Sequence, residues 1–263
     1  MEQKYQALLD SLRARGALAV AYSAGVDSTF LLAAAREALG ENVLALTAVT
    51  AAIPRRELAE ATDFTAARGI RHKLVEVDAL AVPAFRENAP DRCYHCKKHI
   101  FTQLWAVARA AGMNHLAEGS NLDDDLDYRP GHRAILELGV ASPLREAGLT
   151  KAEIRALSER MALATAAKPS FACLASRVPY GEEITAEKLR RIDLAEQLLL
   201  QRGFTQFRVR SHGDLARIEV PAAEQEKLFA MRRELHDALR ALGFSYVTAD
   251  LYGFRSGSLN ETL

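Results

Sequence analysis

Cysteine is scarce here: three residues in 263, an odd number and too few for a disulfide framework. An excess of one charge is also missing. Lysine and arginine together number 34, as do aspartate and glutamate, so no global field draws the chain to nucleic acid or anionic lipid. The longest apolar runs are too short to span a bilayer. Met1, Glu2, Gln3 and Lys4 open an amphipathic helix rather than a signal sequence. These absences predict a cytoplasmic protein with neither a membrane nor a nucleic-acid partner. What is present, 49% hydrophobic and 26% charged residues, describes a soluble globular chain of one large or two ordinary domains.

Residues 18–22 form an apolar run with the look of a buried parallel strand. The small residues Ser23, Ala24 and Gly25 follow, then Val26, Asp27 and Ser28, and residues 29–39 are rich in Ala and Leu, a helix pattern. Strand, tight turn and helix start in that order make an anion site. Backbone N–H groups with no side chain in the way converge where the helix dipole is positive. A nucleotide phosphate is the expected guest, although small residues also serve ordinary strand–helix turns. The stretch carries no lysine, so it is not a G-x-x-x-x-G-K-[ST] loop, and Gly25 stands alone where G-x-G-x-x-G would need company. Alanine in a left-handed conformation costs about 1 kcal/mol, so Ala24 is expected to take an ordinary one.

Downstream, residues 42–49 read as a second buried strand, Pro54 as the first residue of a helix reaching about residue 67, and residues 71–77 as a third strand. A loop over 83–92, a helix over 94–111 and a short strand over 115–118 come next. The order β-α-β-α-β with short links predicts an α/β fold, a doubly wound parallel sheet with its ligand at the carboxyl ends of the strands. Thr150 and Glu153 form a capping box ahead of a helix over 149–163. Residues 168–181 are irregular, with two prolines and a glycine. The boundary is placed there: a nucleotide domain over 1–168, a linker over 169–184 carrying Cys173, and a smaller C-terminal α+β domain over 185–263. That last domain reads as helix 185–202, strands 206–211 and 215–220 around a hairpin turn at Gly213, helix 222–242 and strand 246–251.

The fourth strand runs into Gly119, Ser120, Asn121, Leu122, Asp123, Asp124, Asp125, Leu126 and Asp127. So many acids and amides cannot form a core. They make either a solvated loop or, at the carboxyl end of a strand, a site for Mg²⁺ or a ribose. The segment should open on the same sheet edge as residues 23–28. It also resembles the G-x-N-x-D-D segment of PP-loop ATP pyrophosphatases, which implies a site with Gly119, Asn121 and Asp124 against ATP, and Asp27 with Asp123 or Asp124 on Mg²⁺.

Cys93 and Cys96 have the C-x₂-C spacing that can place two thiolates on one ion or cluster, and Cys173 lies in the linker. Four readings stay open from the residues alone. One is zinc, completed by His99 or His115. Another is a redox pair, although such pairs usually follow a strand of a thioredoxin-like unit. The third is unrelated buried cysteines, and the fourth a cubane iron–sulfur cluster whose three thiolates leave one iron open. Arg208 and Arg210 are two apart on a predicted strand and share a face. Such a pair suits a phosphate or carboxylate, or marks a solvated edge strand.

Together, residues 23–28, Asp91-Arg92-Cys93-Tyr94-His95-Cys96-Lys97, Gly119-Ser120-Asn121-Leu122-Asp123-Asp124 and the run from Lys168 to Gly181 resemble the LarE-type ATP-dependent sulfur transferases. These are PP-loop ATP pyrophosphatases of nickel-pincer nucleotide biosynthesis. The likeness extends from the first strand through Arg210. It departs from the family's S-G-G-x-D-S loop at Ala24, which replaces the first glycine. The resemblance implies that ATP, with Mg²⁺, adenylates a carboxylate of pyridinium-3,5-biscarboxylic acid mononucleotide, which then becomes a thiocarboxylate. In one branch of the family the cysteine matching Cys173 gives up its own sulfur; in the other, three cysteines hold a [4Fe-4S] cluster that carries the sulfide. All three are present here, so Cys93, Cys96 and Cys173 are expected to hold a cluster. The resemblance further implies catalytic roles for Cys173 and Asp27, with Arg177 a candidate for holding the activated carboxylate. It implies Arg208 and Arg210 on the substrate phosphate, and a homo-oligomer, a hexamer in relatives. A tRNA thiolase of the same superfamily is the rival reading, and the balanced charge argues against its basic RNA surface.

Overall fold

The computed structural model describes residues 1–126, 131–169, 172–255 and 257–259. Asp127 of the acidic loop, Ser170 and Phe171 of the linker, and Asn260, Glu261, Thr262 and Leu263 at the end of the expected C-terminal domain lie outside the described residues. The elements begin with α1 (Glu2–Arg15), β1 (Leu18–Ala21), α2 (Val26–Leu39), β2 (Val43–Val49), α3 (Arg55–Ala67) and β3 (Arg71–Glu76). They continue with α4 (Pro83–Arg86), α5 (Arg92–Ala110), β4 (Leu116–Ala117), α6 (Gly131–Glu137), α7 (Pro143–Glu146) and α8 (Lys151–Arg160). The last are α9 (Ala186–Gln201), β5 (Arg208–His212), β6 (Leu215–Glu219), α10 (Ala222–Ala230), α11 (Arg232–Ala241) and β7 (Tyr246–Ala249). They fall into two compact units, Met1–Val82 with Asp91–Phe171, and Pro83–Pro90 with Ala172–Leu263.

In the first unit the short apolar runs pair as a parallel sheet in the order β3-β2-β1-β4. Side chains alternate across it with the period of two that a strand imposes. Leu18, Val20, Val43 and Ala45 join one core with Leu8 and Leu12 of α1 and Phe30 and Leu31 of α2. Ala19, Leu44 and Leu46 join the other, with Phe101 and Leu104 of α5. Helices therefore cover both faces, and each fully buried Leu or Phe contributes about 1.5–3 kcal/mol. β3 is an edge strand, with Leu74 half exposed. The strand order reverses beside β1, so the crevice lies at the carboxyl ends of β1 and β4.

Several local expectations change. Pro54 is the cap of α3, with Arg55 its first helical residue. Residues 83–92, read as a loop, contain α4 and the start of α5. Residues 83–90 go with the second unit, where the buried Asn88 side chain donates to the carbonyls of Val178 (3.2 Å) and Pro179 (2.5 Å). The helix expected over 222–242 is two helices, separated at Met231 (φ −92°, ψ 8°).

In the second unit α9 packs on β5, and the sheet order is β5-β6-β7. β5 and β6 are an antiparallel hairpin in which His212 faces Leu215, so Gly213 and Asp214 make its turn. Gly213 sits at φ 56°, the left-handed conformation that such two-residue turns require. β7 runs parallel to β6, reached through α10 and α11. Among the described residues no helix is long and apolar enough to cross a membrane.

Candidate functional site

The turn after β1 is built around α2. Its cap is Gly25, in an extended conformation (φ −79°, ψ 165°), and no side chain caps the helix. The first bond of the helical ladder runs from Thr29 N–H to Gly25 O at 2.9 Å. The N–H groups of Val26, Asp27 and Ser28 precede it and have no partner within the helix. Inside the turn Ser23 Oγ and Ser28 Oγ lie 3.1 Å apart, and Ser28 Oγ donates to Gly25 O at 3.2 Å.

Ala24, by contrast, takes φ 54°. The expectation of an ordinary backbone there is wrong, and the left-handed position is the one filled by alanine. Its cost of about 1 kcal/mol is offset by burying the methyl group, about 0.8 kcal/mol by the value per CH₂, since Ala24 is buried. Lys168 holds the same peptide from outside, donating to Ala24 O at 2.9 Å while paired with Glu60.

The segment after β4 meets this turn closely. A Cβ on Gly119 would stand 2.9 Å from Ser28 N and 3.2 Å from Asp27 C, both backbone atoms that cannot swing aside. Gly119→Ala is therefore expected to push on the anion-facing amides and weaken ATP binding at least tenfold, read by titration calorimetry; unchanged affinity would show that the two backbones separate freely. Asn121 Nδ2 donates to Asp27 Oδ1 at 3.3 Å, and Asn121 Oδ1 accepts from the Asp123 N–H at 2.9 Å. Asp124 Oδ2 accepts from the Asn121 N–H at 3.0 Å.

These parts enclose a cavity of about 320 Å³ lined by Ser23, Gly25, Asp27, Ser28, Gly119 and Asp124. Of the other expected ATP contacts, Ala24, Val26 and Asn121 are buried behind it. Lys97, Ile100 and Phe101 of α5 also line it. Glu118, another lining residue, accepts from Ser120 Oγ (2.8 Å) and Ser142 Oγ (2.7 Å) and pairs with Lys97 at 3.6 Å.

Three lysines remote in sequence thus supply the cations that the loop lacks: Lys97, Lys168 and Lys151. Lys151 Nζ lies 2.5 Å from Asp27 Oδ2, and its own N–H donates to Asp123 Oδ2 at 2.8 Å. The sequence reading missed it, although a signal was there. The capping box on Thr150 is present as expected and makes Lys151 the first residue of α8. A cation at that end of a helix opposes the dipole and invites a reason.

Cys93 and Cys96 lie at the start of α5, Cys93 one turn before Lys97 and Cys96 one turn before Ile100, two residues that line the cavity. Neither they nor Cys173 forms a disulfide; Cys93 and Cys173 are exposed and Cys96 half-buried. His95 pairs with Asp91, and Trp105 Nε1 donates to Leu138 O. Among the described residues no three His, Cys, Asp or Glu side chains stand together as a ready metal site. The donor sets still suit the implied groups. Mg²⁺ takes one or two carboxylates and completes itself with phosphate and water, and an i, i+3 thiol pair suits two corners of a cluster.

In the second unit Cys173 caps a single turn, Leu174–Arg177. Arg177 is fully buried. It donates through Nε and Nη2 to the two oxygens of Glu196 (2.8 and 2.9 Å) and through Nη1 to the carbonyls of Ala172 and Cys173. The expectation that it holds an activated carboxylate gives way to a positioning place beneath Cys173. Arg208 and Arg210 do share a face of β5, and both are buried rather than solvated. Arg210 is bidentate on Glu219 (2.9 and 2.9 Å) and donates to Ser176 O. Arg208 lies over the Phe254 ring; burial, with the neighbouring Arg177 charge, pulls its pKa down to about 10. Arg217 also donates to Glu219, at 2.9 Å, so that carboxylate is shared by two guanidiniums. The sequence missed Glu196, although it falls on the apolar stripe of α9 with Leu189, Ile192 and Leu199, where an acid needs a partner.

No family model matches the chain. Among curated proteins, the pyridinium-3,5-bisthiocarboxylic acid mononucleotide synthase of Lactiplantibacillus plantarum is 35% identical over 261 residues, which cover 99% of this chain and 95% of that protein. An uncharacterised protein of Synechocystis sp. is 44% identical over 247 residues, 93% of this chain and 92% of its own length. Argininosuccinate synthase of Halobacterium salinarum is 33% identical over 158 residues, 55% of this chain and 39% of that protein.

Proposed function

Because the chain belongs to the family of the pyridinium-3,5-bisthiocarboxylic acid mononucleotide synthase, we propose that it is an ATP-dependent sulfur transferase acting on the pyridinium dicarboxylate mononucleotide. The observation that carries this reading is the cavity where an amide-lined turn faces the helix bearing Cys93 and Cys96. ATP places its phosphates on the N–H groups of Val26, Asp27 and Ser28, which need no movement to receive charge. Asp27 and Asp123 are the carboxylates offered to Mg²⁺, which when bound neutralises charge on the phosphates. A substrate carboxylate oxygen attacks the α-phosphorus, the bond to the β-phosphate oxygen breaks, and pyrophosphate leaves an acyl-adenylate. Holding the two reactants together supplies much of the acceleration.

Arg208 and Arg210 are assigned to the substrate phosphate, a role supported by their burial on one face of β5. Arg177 keeps the Cys173 carbonyl, and with it the thiol, in one place. Cys93, Cys96 and Cys173 would hold a [4Fe-4S] cluster, which when bound supplies the sulfur from its open iron. Displacement of AMP at the acyl carbon gives the thiocarboxylate.

Protein purified without oxygen is expected to contain about four irons with acid-labile sulfide, and to convert substrate and ATP to thiocarboxylate, AMP and pyrophosphate. Cys173→Ala should lose thiocarboxylate and retain pyrophosphate release. Iron-free protein that yields product while Cys173 becomes dehydroalanine would replace the cluster by a sacrificial cysteine. Zinc without iron, and no thiocarboxylate, would overturn sulfur transfer altogether.

A further inference from the structure

Lys151 has no place in the mechanism above, yet it ties together both carboxylates offered to the metal. Its ammonium lies 2.5 Å from Asp27 Oδ2, and its backbone N–H donates to Asp123 Oδ2 at 2.8 Å. The remaining Asp27 oxygen takes the Asn121 amide. We infer that Lys151 is a cation held in the metal's place: it neutralises Asp27 while the nucleotide is absent, and passes to the phosphates when Mg²⁺ takes the carboxylate. This inference rests on the reading of residues 23–28 as the ATP site.

Three observations carry it. First, the loop contains no cation of its own, while ATP brings about four negative charges into a cavity already lined by Asp27, Glu118 and Asp124. Lys97, which lines the cavity, is paired with Glu118, and Lys168, at the back of the turn, with Glu60 and Ala24 O. Second, Lys151 is the first residue of α8, where the helix dipole repels a cation, so its position is maintained against local preference by Asp27 and the adjacent Asp123. Third, the pair is partly exposed, 28% and 23%, so the interaction is weak and can be exchanged for a divalent ion. A fully buried pair could not be opened so cheaply. In the adenylation step the electron pair of the broken P–O bond goes to pyrophosphate. An ammonium freed from Asp27 is available to meet that charge. Lys151 is then a positioning cation whose partner depends on the ligand present.

The test uses the full chain with two variants. Lys151→Met keeps most of the stem and removes the charge; Lys151→Arg keeps the charge. Mn²⁺ binding without nucleotide is read by electron paramagnetic resonance, and pyrophosphate release is followed with substrate and ATP. Without the competing ammonium, Lys151→Met is expected to bind Mn²⁺ about tenfold more tightly, while kcat for pyrophosphate release falls about 100-fold. Lys151→Arg should return both toward the parent values. A merely structural lysine would shift the melting temperature without tightening Mn²⁺. Equal or weaker Mn²⁺ binding by Lys151→Met therefore overturns the inference, as does a failure of arginine to rescue. If Asp27→Ala leaves both Mn²⁺ binding and pyrophosphate release intact, the ATP-site reading itself is wrong. If Asp27→Ala abolishes them and Lys151→Met changes neither, only the role of Lys151 falls.

Discussion

Replacing Asp27 by alanine is expected to lower ATP-dependent pyrophosphate release by about 10³-fold, the upper range for loss of one electrostatic contributor in an enclosed site. Asp27 sits in the first turn of α2, in the wall of the nucleotide cavity, with Asn121 on one oxygen and Lys151 on the other. No other carboxylate is placed both in that wall and in the first turn of the anion-binding helix. The alternative explanation of a loss, unfolding, is weak in magnitude. The Asp27–Lys151 pair is partly exposed, so removing it costs about 1 kcal/mol or less. That corresponds to roughly 2–4 °C in melting temperature. A coupled pyrophosphate assay beside a thermal melt separates the two. Turnover within tenfold of the parent would remove Asp27 from the chemistry.

The second large effect is one of stability. Glu196→Ala is expected to destabilise the protein by about 3–5 kcal/mol, since it strands the Arg177 guanidinium without its counter-charge. Both side chains are fully buried, and Glu196 also accepts the Val209 N–H at 3.1 Å. Burial by itself would raise the pKa of Glu196. The charge and hydrogen bonds of Arg177, helped by Arg208 and the Val209 N–H, more than reverse that, so it lies below the usual carboxylate value. A lowered folded-state pKa means stability that is present above the unfolded value, about 4.3, and is lost as pH falls below it. The parent should therefore lose stability in acid more steeply than a Glu196→Leu, Arg177→Met double variant. That double variant replaces the ion pair with apolar side chains and should regain most of the lost stability. It would still lack the guanidinium that holds the Ala172 and Cys173 carbonyls. Recovery of the melt without recovery of sulfur transfer is the expected pattern. A single Glu196→Ala variant melting within about 2 °C of the parent would show that the buried pair contributes little.

The parallel sheet was legible because its signals are local: short apolar runs, a small-residue turn and a capping box each occupy a few consecutive residues. That Asp27, Gly119 and Asn121 come together was legible for the same reason, since each lies in a segment that follows a strand. The cations of the cavity were not. Lys151 and Lys168 reach the turn across separations of 124 and 144 residues, and no periodicity encodes such a meeting. Ala24 misled because propensity favours glycine at positive φ, whereas the lysine on its carbonyl and a buried methyl accompany alanine there. Arg177 misled differently. An arginine beside a presumed site invites a substrate, and only Glu196 on α9 reveals that this guanidinium already has an anion.

The eight residues Pro83–Pro90 belong to the second unit while the chain on either side of them belongs to the first. No single scission can therefore divide this polypeptide into its two halves. A fragment ending at residue 171 would retain Asn88, whose carboxamide is fully buried, and would have removed the Val178 and Pro179 carbonyls that receive it. Such a fragment exposes to water the surface that enclosed this carboxamide and loses the two bonds that fixed it. Dissection of the protein must excise that segment as well, closing residues 82 and 91 with a short turn.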